Sequence, residues 1–146
     1  MKNKNYLALF AKSFNWAGFF LPKNVYQDCS KLYAFCRVLD DLVDEKTDLE
    51  LREERFNEIK NIYKKTYEID NNDRNILKQN EHGLIVNDMI DLAYNNNIKR
   101  IILDDLIDGV GSDLKQKVYL RSVKDLLVYS YRVAGTVGLM MAKILN

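Results

Sequence analysis

Between Pro22 and Glu45 the chain carries an apolar stripe, Val25, Cys29, Leu32, Cys36, Leu39 and Val43, stepping by fours and threes. Residues that recur this way share one face of an α-helix, so the stripe predicts a long helix over 22–45 with that face against a core. Pro22 suits a first helical position, where its missing N–H costs nothing. A second stripe runs beside the first: Arg37, Asp40 and Asp44 fall on one side of the same helix, and Asp41 lies next to them. No segment has the period of two that a sheet requires, and a single proline in 146 residues argues against a protein of strands and turns. The expected fold is all-α.

Further helices are predicted at 4–17, 49–67, 73–80, 84–95, 98–112 and 122–145. Thr47-Asp48-Leu49-Glu50 and Ser122-Val123-Lys124-Asp125 have the capping-box pattern at two of the starts. Phe56, Ile59 and Tyr63 carry the buried face of the helix over 49–67. Asparagine-rich breaks at 70–72 and 95–97 read as turns. No linker or repeat divides the chain, so residues 1–146 form one domain, and 47% hydrophobic residues are ample for its core.

Charge excludes some partners. With 22 basic and 21 acidic residues the net charge is +1, so no bulk field favours nucleic acid. Cys29, Cys36 and the single histidine make no metal-ligand set. The two thiols read as small core hydrophobes in a reducing compartment, and His82, in the polar stretch Gln79–Gly83, as a loop residue. Lys12 and Asn15 cut the apolar run at Tyr6–Ala11 short of a signal core, and Val133–Ala142 is only half a membrane span. The expected location is the cytoplasm.

The acidic stripe is the chemical feature. Two carboxylates about 6 Å apart repel by about 0.7 kcal/mol in water, and by more where the effective dielectric falls. A magnesium ion relieves that repulsion, since it is commonly held by one or two carboxylates plus substrate phosphates. Arg37 suits a phosphate oxygen or a neighbouring carboxylate. In a chain with 29% charged residues, Asp40-Asp41-Leu42-Val43-Asp44 taken alone reads better as solvated surface.

Context reverses that preference. Ser13-Phe14, Leu21-Pro22, Leu32-Tyr33-Ala34-Phe35-Cys36-Arg37 and Asp40–Asp44, in this order, resemble the opening signature of the squalene and phytoene synthases, the head-to-head prenyltransferases. Tyr129-Ser130-Tyr131-Arg132-Val133-Ala134-Gly135-Thr136-Val137-Gly138 is similar to a second signature of that family, closer to its phytoene branch. Leu106-Ile107-Asp108-Gly109 and Asp113-Leu114 resemble a third. The resemblance implies an isoprenoid synthase-type helical bundle, of which this chain holds the N-terminal half. It implies that two geranylgeranyl diphosphates are joined through a cyclopropylcarbinyl diphosphate to give phytoene, with magnesium, or manganese in its place, as the metal.

Carried over by motif, Asp40, Asp41 and Asp44 bind the metal, and Asp40, Asp44 and Tyr129 act in the chemistry. Ser13 and Arg37 meet diphosphate oxygens. Phe14, Tyr33, Tyr131, Val133 and Gly135 flank the substrate. A lipid substrate favours loose attachment to a bilayer surface. Two positions depart from the family: Tyr26 and Tyr119 stand where arginine is common. The chain also ends before the family's second aspartate motif. It is therefore expected to be inactive alone, with a separate chain supplying the missing half. Alternatives are a non-catalytic prenyl diphosphate-binding or regulatory protein, and a squalene-type enzyme fragment acting on farnesyl diphosphate.

Asp104-Asp105-Leu106-Ile107-Asp108 repeats the same acidic pattern. It precedes the Ala-Gly-Thr-Val-Gly segment, whereas the family's second aspartate set follows it. The expectation is a helix burying Ile101, Ile102, Leu106 and Val110 with Asp104 and Asp105 as surface charge, while Asp108 makes a structural hydrogen bond. Gly135 and Gly138 each cost about 1 kcal/mol against alanine in a helix. That cost is tolerable where the backbone lies close to a neighbouring helix or an isoprenoid tail.

Overall fold

A computed structural model describes residues 12, 16, 18–69, 80–114 and 120–146. Its helices are α1 (Lys23–Asp44), α2 (Leu49–Glu68), α3 (Glu81–Asn95), α4 (Arg100–Asp113), α5 (Val123–Ser130) and α6 (Thr136–Leu145), with a π-helical turn at Tyr131–Gly135 between the last two. No strand occurs among the described residues. The all-α, isoprenoid synthase-type fold expected from the sequence is the fold found. Most of the predicted helices at 4–17 and 73–80, together with Ser13, Phe14 and Tyr119, lies outside the described residues.

α1 is the axis of the bundle, in contact with α2, α3, α4 and α6. Four neighbours enclose a wider arc than one stripe. Cys29, Leu32 and Leu39 are buried as predicted, but Phe35 and Leu42 join them, while Val25, Cys36 and Val43 sit half-buried at the edges. Burial raises the Cys29 thiol pKa and pushes that of Cys36 up to about 12, the latter with help from Asp40. Neither thiol is a nucleophile at neutral pH.

The corner into α2 differs from its sequence reading. Asp48 precedes the helix without a side-chain cap, and the Thr47 hydroxyl is buried with no hydrogen-bond partner among the described residues. Arginines from the first turns of α2 close the corner instead: Arg52 donates to the Val43 carbonyl at 2.7 Å, and Arg55 pairs with Glu45 at 2.6 Å. Phe56, Ile59 and Tyr63 are buried as expected.

α3 begins three residues earlier than predicted. The Asn80 side chain accepts the Gly83 N–H and so caps the helix, which puts His82 in its first turn, not in a loop. Met89, Ile90 and Leu92 are wholly buried in the face it turns to α1 and α2. The turn into α4 is the predicted one. Asn97 takes a left-handed φ of 52°, which asparagine tolerates, and Asn96 donates to Asp28 on α1 at 3.2 Å.

α4 buries Leu103, Leu106, Ile107 and Val110, whereas Ile101 is 58% exposed and Ile102 half-buried. At about 100° per residue Ile101 lies nearly opposite that face, so its predicted burial fails on helical phase. Ser122 caps α5 by accepting the Asp125 N–H at 3.1 Å, and the Asp125 carboxylate accepts the Arg121 N–H at 3.2 Å. α5 buries none of its residues, whereas α6 buries Thr136, Met140 and Ile144. No described helix is long and apolar enough to cross a membrane.

Candidate functional site

The carboxylates of α1 stand on the last two turns of the helix. Arg37 closes an ion pair on Asp41 at 2.9 Å, one turn on. Both side chains are about half exposed, and such a pair contributes about 0–1 kcal/mol. No hydrogen bond or ion pair to a described residue ties down Asp40 or Asp44. Asp40 has its pKa raised, first by the protein mass around it and then by Asp44, with Asp41 and Asp113 adding to the effect and Arg37 opposing it. The face is short of positive charge.

Asp113, at the end of α4, is the residue the sequence reading left out of the site. The Tyr129 hydroxyl donates to it, 2.9 Å from one carboxylate oxygen and 3.1 Å from the other. Burial and this bond raise the Tyr129 pKa. The available signal was its position one turn beyond Gly109 in the weaker of the three motifs. A Cβ on Gly109 would lie 2.6 Å from the Arg132 Cβ and 3.2 Å from a Val133 methyl, so the missing side chain lets α4 lie against the π turn. That contact brings Tyr129 to Asp113, and Asp113 to the Asp40 side of α1. Tyr129 and Asp113 are thus joined directly, and Asp113 is near enough to Asp40 for its charge to be felt there.

The other predicted residues spread around this centre. Tyr33, one turn before Arg37, packs half-buried against the core. Val133 meets Gly109, and Gly135 lies against the Tyr131 ring. Desolvation, and then the charge of nearby Asp105, raises the Tyr131 pKa. A Cβ on Gly138 would meet nothing within 4 Å, so among the described residues no close helix contact accounts for that glycine. Tyr26, in the arginine position, lays its ring against Gly18. Asp41 and Asp44 also line an open groove of about 470 Å³ between the end of α1 and the start of α3, with Glu45, Glu81 and His82.

Asp104 is bound from α2, which corrects the expectation of plain surface charge for that residue. The Tyr63 hydroxyl donates to Asp104 at 2.7 Å, and Arg100 lies 3.7 Å from the same carboxylate. Arg100 also sits 4.7 Å from the centre of the Tyr67 ring. Lys60 reaches Asp108 at 3.1 Å, the structural bond expected of that residue.

The squalene/phytoene synthase family model matches residues 7–146. The chain belongs to that family. Its members are head-to-head prenyltransferases that bind prenyl diphosphates and use divalent metal ions. The chain is 31% identical over 137 residues to a 4,4'-diapophytoene synthase of Staphylococcus haemolyticus, covering 93% of this chain and 44% of that protein. It is 29% identical over 144 residues to a bifunctional lycopene cyclase/phytoene synthase of Pyrenophora tritici-repentis, covering 92% of this chain and 24% of that one. A stretch of 64 residues, 40% of the chain, is 41% identical to 15% of a chloroplastic phytoene synthase 3 of Zea mays. The chain spans less than half the length of these relatives.

The residues present fit a divalent ion in part. No group of three or more His, Cys, Asp or Glu among the described residues is arranged to hold one. Asp40 and Asp44 are instead two hard oxygen donors on a face whose mutual repulsion already raises Asp40. That suits a magnesium ion which keeps several waters and takes further oxygens from a phosphate.

Proposed function

We propose that this chain forms the diphosphate-binding wall of a head-to-head prenyltransferase of the phytoene synthase type. The observation that carries the reading is the cation-seeking face of Asp40 and Asp44, to which the Tyr129-bound Asp113 adds its charge, in a chain of this family. In this reading Asp40 and Asp44, with Asp41 beside them, hold magnesium or manganese. The bound ion would neutralise charge on the departing diphosphate. Arg37 turns from Asp41 to a diphosphate oxygen, and Ser13 binds another. Phe14, Tyr33, Tyr131, Val133 and Gly135 flank the isoprenoid. The Tyr129 ring faces the allylic cation, which its quadrupole favours. Two geranylgeranyl diphosphates are joined through a cyclopropylcarbinyl diphosphate; farnesyl diphosphate is the shorter alternative.

The same reading covers the apolar face left open at the end of the chain. Val123, Leu127 and Leu139 are 73%, 64% and 47% exposed, and Leu126 and Leu145 stand out beside them. Large apolar side chains exposed in this number on two successive helices point to an interaction surface. The partner we assign to it is the polypeptide corresponding to the remainder of the relatives, joined to this chain or separate. Residues 1–146 are then one part of a domain, placed in the cytoplasm and loosely against the bilayer that holds the substrate. An apolar dye should brighten on the isolated chain, and Leu127→Glu with Leu139→Glu should remove about half of that signal or more. A dark dye with the unaltered chain would end the docking part of the reading.

A second reading, a prenyl diphosphate-binding protein without turnover, is favoured by one observation: no group of three or more His, Cys, Asp or Glu among the described residues is arranged to hold a metal ion. Calorimetry of the chain with geranylgeranyl diphosphate, with and without magnesium, tests what both readings share. The expected result is affinity that requires the ion. Equal affinity without it would overturn both, and turnover to a C40 product would separate them.

A further inference from the structure

Asp105, Gly109 and Asp113 stand one turn apart on one face of α4, and each meets a different part of the segment running from α5 through the π turn. The charge of Asp105 is felt at Tyr131, Gly109 admits Arg132 and Val133, and Asp113 accepts the hydroxyl of Tyr129. The last bond is bifurcated, with both carboxylate oxygens within 3.1 Å of the phenol oxygen. A phenol has one proton, and here it is directed at α4. A carboxylate is a stronger acceptor than the neutral groups a phenol usually meets, and an O–H to carboxylate bond is about twice as strong as a neutral one.

Resting on the reading of the site above, we propose that Asp113 is a positioning residue: it holds the Tyr129 proton, so that the phenol offers its oxygen lone pairs and ring face, not a donor, to the substrate. The consequence is specific. A diphosphate beside Asp40 receives no hydrogen bond from Tyr129, and the phenol is left electron-rich on the side where positive charge would develop. The geometry of α4 supports this assignment over a passive tie. Gly109 fixes how closely the π turn approaches, and Asp113 lies one turn further along the same helix face, so the phenol and carboxylate are held in register by the helix pair. The Asp113 charge also adds to that of Asp40 and Asp44, which strengthens the preference of this face for cations.

Two measurements on the whole chain test the proposal. The first is the tyrosine ring doublet in the Raman spectrum, whose intensity ratio reports whether a phenol donates or accepts. The Tyr129→Phe difference spectrum should show a strong donor, and Asp113→Asn should shift that component toward an accepting phenol. An unshifted component overturns the proposal. The second is calorimetry with magnesium and inorganic pyrophosphate. Tyr129→Phe alone should leave that affinity within about twofold of the unaltered chain, because the proton was never given to the anion. A loss of about tenfold or more, the scale of one charge-assisted hydrogen bond, overturns it. This arm needs no change at Asp113, so a poorly folding Asp113 variant does not block it. If the unaltered chain binds no pyrophosphate with magnesium, the reading of the site fails, and the Raman arm still decides the Tyr129 proton.

Discussion

The same five-residue acidic pattern occurs twice in this chain, at Asp40–Asp44 on α1 and at Asp104–Asp108 on α4, and the two copies do opposite work. On α4 the first and last carboxylates are met by side chains from α2: Tyr63 donates to Asp104 and Lys60 to Asp108. On α1 only Asp41 is paired, by an arginine on its own helix. The copies share letters and helical phase, so spacing cannot separate them. What separates them is the neighbouring helix. α2 brings a phenol and an ammonium to one copy, whereas the other looks across to Asp113, a further negative charge. An acidic pattern met by donors ties helices together; one met by more acid gains from a nearby cation.

The sharpest way to break this contrast is to neutralise each copy in turn. Asp40→Asn with Asp44→Asn should abolish magnesium-linked pyrophosphate affinity in calorimetry and leave the helical circular dichroism unchanged. Asp104→Asn with Asp108→Asn should leave that affinity in place and lower the melting temperature. The reverse pattern would exchange the roles assigned to the two helices.

A second prediction concerns the tie itself. Tyr63→Phe removes a hydrogen bond to a charged group and should cost about 1.5–3 kcal/mol in denaturant unfolding. Next come two glycines. Gly109→Ala forces a Cβ to within 2.6 Å of the Arg132 Cβ, and overpacking of this kind costs about 1–3 kcal/mol. Gly138→Ala enters open space and should stabilise the isolated chain by up to about 1 kcal/mol. Destabilisation by both would mean that Gly138 is packed against something.

The smallest effect is on pH. Because the folded pKa of Asp40 is raised, the folded state holds its proton to higher pH than the unfolded chain. This carboxylate therefore lowers stability as pH rises through its folded value, and the penalty vanishes below the unfolded one near 4. Asp40→Asn should raise the melting temperature at neutral pH, with the gain lost at about pH 3. A gain of the same size at both would remove the electrostatic explanation.

The fold was legible because its signals are local. The stripe from Cys29 to Leu39, the Phe56–Ile59–Tyr63 face and the Ser122 cap each depend on residues within a few turns. The errors arose where distant parts decide. Phe35 and Leu42 are buried because four helices surround α1. Ile101 is exposed because phase, not composition, governs α4. Asp113 entered the site only through contacts spanning 16 residues and a glycine that lets two backbones meet. Arg37, Asp40, Asp44 and Tyr129 were readable from their motifs, but the direction of the Tyr129 proton was not.

The π turn at Tyr131–Gly135 has an effect beyond its five residues. Its defining bond, from the Thr136 N–H to the Tyr131 carbonyl, accommodates one residue more than a regular α-helical turn would. That extra residue offsets the sequence phase of everything after it by about 100°, as the dial of a combination lock moves by one position. Deleting Ala134 would then let the turn close as regular α-helix, with Met140 and Ile144 still facing the core. The same one-codon loss within α1, which has no wide turn to give up, would rotate one half of its core face by about 100°.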